Sequence, residues 1–143
     1  MEIVLKAAEM LVKNSEVTLA SVNENGYPRV CVLSKIKSEG IRKFWVATGL
    51  SSVKVRHFLE NSKAGACFYH CGNSVTLVGR VSVIQDRVVK AEMWLDWFIN
   101  HFSGGIDDPN YCILEFETEE ATLWIDNEFI TLRGEQIGTK GSV

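Results

Sequence analysis

The chain has 143 residues, 46% apolar and 23% charged, with a net charge of −3 and a pI near 5.6. That is the size and balance of one globular domain with its own core, not of a disordered chain. The slight acidity lacks the basic footprint of nucleic-acid binding, and no apolar run is long enough to span a membrane.

Glu2, Lys6 and Glu9 interrupt the N-terminal stretch, so no signal peptide is read and the cytoplasm is the expected compartment. Residues 3–13 read as a helix with Val4, Ala7, Ala8 and Leu11 on one face, ended by Asn14 and Ser15. Val17–Val22 reads as a strand and Asn23-Glu24-Asn25-Gly26 as a turn. Pro28 then opens a second strand, Arg29–Ile36, completing a hairpin. After a turn at Ser38-Glu39-Gly40, Lys43–Thr48 is a third strand broken by Gly49 and Leu50. Ser51 or Ser52 caps a short helix running to Leu59. Ala64–His70 is a fourth strand. Ser74–Ile84 gives the clearest alternation, Val75, Leu77, Gly79, Val81 and Val83 against Ser74, Thr76, Val78, Arg80 and Ser82, with Gly79 marking a bulge or corner. Asp86 is read as the N-cap of a helix reaching Phe102. Strands at Tyr111–Phe116, Thr122–Asp126 and Phe129–Arg133 follow. The acidic run Glu115, Glu117, Glu119 and Glu120 is read as a solvated strand edge and turn. The expected division is one domain over 1–133 and a mobile tail over 134–143. Hairpins dominate and long crossovers are few, which suits a mostly antiparallel β-barrel with helices at its mouth, an α+β fold.

Cys31, Cys67, Cys71 and Cys112 are read as buried reduced thiols. With His57, His70 and His101 they show no metal-ligand spacing, so no metal site is expected. His57 is placed on the surface and His70 facing the barrel interior. No catalytic triad or carboxylate pair can be read from spacing, and no residue is identified as catalytic. The most informative stretch runs from Pro28 to Lys54. Arg29 and Lys35 share a strand face by parity. The junction Thr48-Gly49-Leu50-Ser51-Ser52-Val53-Lys54 offers helix N-terminal amides, hydroxyls and a lysine, a setting suited to a phosphate monoester. The plain alternative is a serine-capped helix with a solvated lysine. Trp94, Trp97 and His101 form a second stripe on the long helix, either a thick core stripe or a face for a partner subunit or a cofactor edge.

Three stretches, Pro28-Arg29-Val30-Cys31-Val32-Leu33, Phe44-Trp45-Val46-Ala47-Thr48 and Ser52-Val53-Lys54, resemble the pyridoxamine 5′-phosphate oxidase-like flavoproteins, and the order of elements agrees from Ala8 to Asp126. The resemblance implies an antiparallel split β-barrel with flanking helices and a flavin mononucleotide (FMN) at a homodimer interface. It implies cofactor contacts from Arg29, Val30, Cys31, Val32, Thr48, Ser51, Ser52 and Lys54, with Ser74 (or Thr76) at the ring and Trp124 reaching over it from the second subunit. Val53 stands where the family carries an arginine, and Ser51, Lys35 or Arg56 are the residues that would compensate. Arg133 has no histidine after it, so the family's substrate-gripping arginine-x-histidine is missing. The shorter general-stress-protein-like branch then fits better than a pyridoxamine phosphate oxidase. The implied function is an oxidoreductase on a small substrate using NAD(P)H or oxygen. The alternatives are a non-catalytic flavin, haem or deazaflavin binder on the same fold, and a plain interaction protein.

Overall fold

The structure is a computed structural model and describes residues 2–138. The elements in chain order are α1 (Glu2–Lys13), β1 (Glu16–Val22), β2 (Pro28–Glu39), β3 (Lys43–Gly49), α2 (Val53–Glu60), β4 (Lys63–His70), β5 (Asn73–Ile84), α3 (Arg87–Met93), β6 (Tyr111–Ile125) and β7 (Glu128–Arg133). Six antiparallel strands in the order β3-β2-β1-β4-β5-β6 close into a barrel through pairing of β3 with β6, and β7 extends the wall beyond β6. The split-barrel α+β expectation therefore holds.

Period-2 patterning builds the barrel. In β5, Val75, Leu77 and Val81 are buried while Thr76, Val78 and Arg80 are exposed. Inside, Phe44 stacks on Phe116 with ring centroids 4.8 Å apart and meets Phe68 edge-on at 5.4 Å. Leu19, Leu77 and Leu123 fill around them, and α1 covers one end with Ala7 and Leu11. The register shifts between Val78 and Gly79, and a Cβ at Gly79 would lie 2.0 Å from the Glu117 carbonyl oxygen. Only glycine fits that close approach.

Several expectations give way. The two strands expected between Tyr111 and Asp126 are the single 15-residue β6. Its acidic residues lie in a central strand flanked by β5, not at an edge and turn. Glu115 there accepts from Trp45 Nε1 at 2.9 Å and pairs with Lys43. The long helix expected to Phe102 stops at Met93. Trp94 and Leu95 are extended, and a 3₁₀ turn follows over Asp96–Asn100. The break lets Trp94 and Phe98 both rest on Tyr111, whose hydroxyl donates to the Lys90 carbonyl at 2.7 Å. That bond satisfies one carbonyl that the end of α3 leaves without a helical partner.

His57 is buried rather than on the surface, because α2 packs onto β1 and its Nδ1 meets Ser21 Oγ at 2.8 Å. His70, at the end of β4, is exposed rather than inside the barrel. Of the four cysteines only Cys112 is buried. Cys67 faces outward between the inward-facing Ala66 and Phe68, and Cys71 sits in the β4–β5 turn. Past residue 133 the chain forms a 3₁₀ turn, Gly134–Ile137, and Ile137 is buried against the core. The rest of the expected mobile tail, 139–143, lies outside the described residues. No helix among the described residues is long and apolar enough to cross a membrane.

Candidate functional site

The opening in the barrel wall follows from where the ladders stop. β2 pairs with β3 only from Lys35↔Val46 to Glu39↔Lys43. Before Lys35, β2 keeps pairing with β1 alone, and after Val46, β3 keeps pairing with β6 alone. The strands part there, leaving a cleft of about 390 Å³ between Val32–Ser34 and Ala47–Gly49. Lys35 donates its amide to the Ser15 carbonyl on the β1 side at 2.8 Å. By antiparallel alternation, the backbone groups of Val32 and Ser34 then face away from β1, toward the cleft. The far wall is the segment after α3. Trp94, Phe98 and Phe102 pack around Tyr111 as a small core outside the barrel, while Trp97 and His101 stand exposed on the cleft's rim. The stripe seen in the sequence thus divides: Trp94 is core and the other two are rim.

At the inner end of the cleft is the β3–α2 junction. Lys54 Nζ lies 3.1 Å from Thr48 Oγ1, and Thr48 is buried. Ser52 is the N-cap of α2, yet its hydroxyl caps nothing and is buried without a hydrogen-bond partner. The loop between them is clamped by Asn110. Its carbonyl oxygen accepts from the Leu50 amide at 2.6 Å and its side-chain Oδ1 from the Ser51 amide at 2.9 Å. Asn110 is in turn held by Asp108, whose Oδ1 accepts the Asn110 amide at 2.9 Å and whose Oδ2 accepts the Gly104 amide at 3.0 Å. These two backbone donors hold the Asp108 carboxyl below its ordinary pKa. Cys112 faces Thr48 across the ladder and donates to its carbonyl at 3.5 Å. Burial pushes that thiol up to about 11, so it stays neutral at physiological pH.

The structure brings part of the sequence-predicted set together. Thr48, Ser51, Ser52 and Lys54 form the junction. Val30 and Val32 lie beside it on the outer face of β2, each 62% exposed, and Cys31 is half-buried on the inner side. Arg29 is exposed and stands opposite Ser21, the residue bonded to His57 of α2, which places it alongside that helix. Lys35 is half-buried opposite Val46, and burial lowers its amine's pKa. Val53 is 40% exposed at the first position of α2. Ser74 and Trp124 face each other across β5 and β6, but at the opposite end of β6 from Cys112. Roughly 40 Å of strand path separates them from the junction within one chain, at about 3.3 Å per residue. Asn110 and Asp108 went unrecognised in the sequence, where they belong to a Gly/Pro loop with no periodic signal.

A model of the family described as pyridoxamine 5′-phosphate oxidase matches residues 5–125. No curated protein matches the chain. Among solved structures, a Clostridium acetobutylicum protein related to general stress protein 26 of Bacillus subtilis is 27% identical. The alignment covers 96% of this chain and 98% of that one, with a TM-score of 0.84. A Mycobacterium smegmatis heme binding protein is 14% identical over 94% of this chain and 59% of its own, with a TM-score of 0.77. A pyridoxamine 5′-phosphate oxidase-related, FMN binding protein from Nostoc punctiforme is 16% identical, with 92% of each chain covered and a TM-score of 0.67. These last two likenesses concern the fold. With the match running from α1 to the end of β6, the chain belongs to the pyridoxamine 5′-phosphate oxidase family.

Proposed function

We propose that this protein binds FMN in the cleft between β2 and β3, as a homodimer, and uses it in an oxidoreductase reaction on a small substrate. The observation that carries the reading is the β3–α2 junction. A lysine amine, a threonine hydroxyl and a buried serine hydroxyl with no partner converge at the start of a helix. Leaving a buried hydroxyl unsatisfied costs about 1–3 kcal/mol, so Ser52 fits a ligand that brings an acceptor to it. A phosphate monoester does so. Lys54 supplies the countercharge and the α2 N-terminus adds its dipole. Arg29 alongside α2 is a second cation for the same group, where Val53 supplies none.

The backbone groups of Val32 and Ser34 alternate donor and acceptor along the cleft, which suits the polar edge of a flavin ring. The exposed faces of Val30 and Val32 would lie under the ring. Ser74 and Trp124 cannot reach that ring from their own chain, and a second copy would bring them to it. The Nostoc punctiforme relative is an FMN binding protein, which agrees with this choice of cofactor. When bound, the flavin supplies the hydride or electron chemistry. The chain's own residues bind it, orient it and shield it from water.

A second reading is haem binding, favoured by His101 on the cleft rim and by the heme binding relative. One experiment separates the two. The purified protein's absorbance is recorded, the pigment is released by denaturation, and the native mass is measured by sedimentation. A flavin spectrum, released FMN and a dimer are expected. A Soret band selects haem. Colourless protein that takes up neither cofactor removes both readings.

A further inference from the structure

The outer face of the barrel wall, away from the cleft, carries a pattern of its own. One row of outward side chains crosses it through successive ladder partners: Val32 on β2, Thr18 on β1, Cys67 on β4, Thr76 on β5 and Thr122 on β6. None of the five is charged, and the three in the middle are small. One outward pair further along β1 and β4, Ala20 stands opposite Gly65. In the other direction, Tyr69 bends toward the β4–β5 turn, its hydroxyl accepting the Gly72 amide at 3.2 Å. Exposed apolar bulk stands at both ends of the wall, Val30 and Val32 on β2, Trp124 on β6 and Phe129 on β7.

We infer that a second copy of this chain docks on this wall with the two-fold axis running along β4, so that Cys67 faces Cys67 of the partner subunit. This rests on the FMN reading, in which the ring lies on Val32 and Trp124 of the partner subunit covers it. A two-fold pair is self-complementary, each copy offering at one point what the other offers at the point reflected across the axis. The axis therefore passes midway between Val32 and Trp124. Their strands are four steps apart in the order β2-β1-β4-β5-β6, about 19 Å at about 4.8 Å per strand, and β4 is the middle one. Trp124 stands opposite Ser74 and Ser74 opposite Tyr69, one outward pair beyond the Cys67 row, so the midpoint falls between Cys67 and Tyr69. Barrel walls are convex, so two of them touch along a line and part on either side. Small uncharged residues at Thr18, Cys67 and Thr76 let that line close with no charge to desolvate. The two flanking gaps, each with Val32 of one copy and Trp124 of the other, leave room for two flavin rings.

The test uses the FMN-loaded protein, a short bis-maleimide cross-linker and sedimentation. Cys71→Ser removes the other exposed thiol. In that variant the cross-linker should give a covalent dimer, and adding Cys67→Ser should abolish it. Thr131→Cys in the doubly substituted protein, on β7 and three strands from β4, should give none. A second pair of variants uses the fact that only a residue on the axis meets its own copy. Cys67 is exposed in the single chain, so Cys67→Arg and Cys67→Glu leave the fold intact. Each alone should weaken the dimer at least tenfold by like-charge contact, and mixing the two in equal amounts should restore most of it. An FMN-loaded dimer that does not cross-link at Cys67, equal cross-linking at Thr131→Cys, or a mixture no more dimeric than its parts would overturn this axis and leave the cofactor reading standing. A monomer that holds FMN removes the inference together with the dimer. Cross-linking through Cys67 in a protein that takes up no FMN upholds the docking wall and defeats the cofactor reading instead.

Discussion

The two ends of β6 differ in how much of a site each completes. At the Cys112 end, Lys54 is bonded to Thr48 and the Asn110 clamp to Leu50 and Ser51, all from one chain, with the unpartnered Ser52 hydroxyl beside them. At the Trp124 end, Trp124 leans on Phe129 with ring centroids 6.2 Å apart, 39% exposed, beside Ser74 and a still more exposed Phe129. The first end is a finished polar pocket. The second is an aromatic surface without a ligand of its own. Phosphate binding should therefore be a property of the single chain, and ring covering a property of the pair, so FMN affinity should divide into two separable parts.

The largest expected effect is at the finished end. Lys54→Ala removes the cation next to the phosphate, and a hydrogen bond to a charged group is worth about 1.5–3 kcal/mol. Isothermal titration should find FMN weakened by about 10- to 100-fold, with the cofactor-free protein melting as before. At the other end, Trp124→Ala should weaken FMN by about tenfold, the scale of one lost aromatic contact, and shift sedimentation toward the monomer. If Lys54→Ala also dissociated the dimer, or Trp124→Ala left it intact with normal FMN affinity, the division would fail.

A smaller effect is expected from the clamp. Asn110→Ala takes the acceptor from the Ser51 amide and should cost about 1 kcal/mol in chemical denaturation, with a severalfold loss of FMN and no change in dimerisation. The smallest is a pH effect through Asp108. Its carboxyl is held below the ordinary value near 4 by the Asn110 and Gly104 amides. Its contribution is therefore fully present above that ordinary value and is lost as pH falls through the lower folded value. FMN should begin to dissociate in that acid window, and Asp108→Asn, which keeps an acceptor oxygen but cannot titrate, should flatten the dependence.

The same contrast explains what was legible in the sequence. Strands with period-2 burial, such as β5, could be read because one face meets the core and the other meets water. The junction could be read because serines and a lysine follow a strand at close spacing. The Asn110 clamp could not, because residues 104–110 act through backbone amides 59 residues away in sequence, from Asn110 to Ser51. His57 misled for a similar reason: beside Arg56 it looks solvated, but helix rotation turns it onto Ser21. The break at Trp94 was hidden because its cause is tertiary, the Tyr111 ring and hydroxyl taking over from the helix. Val53 brings no charge to the start of α2, and Arg29, opposite Ser21 and alongside that helix, is the cation proposed in its place.

The most direct test compares FMN with riboflavin, the same ring system without the phosphate, by equilibrium titration of the cofactor-free protein. Two charge-assisted contacts at the β3–α2 junction predict FMN tighter by about 100-fold or more, with most of that preference lost in Lys54→Ala. Equal affinity for the two compounds, or a preference that survives Lys54→Ala intact, would contradict a phosphate site at this junction.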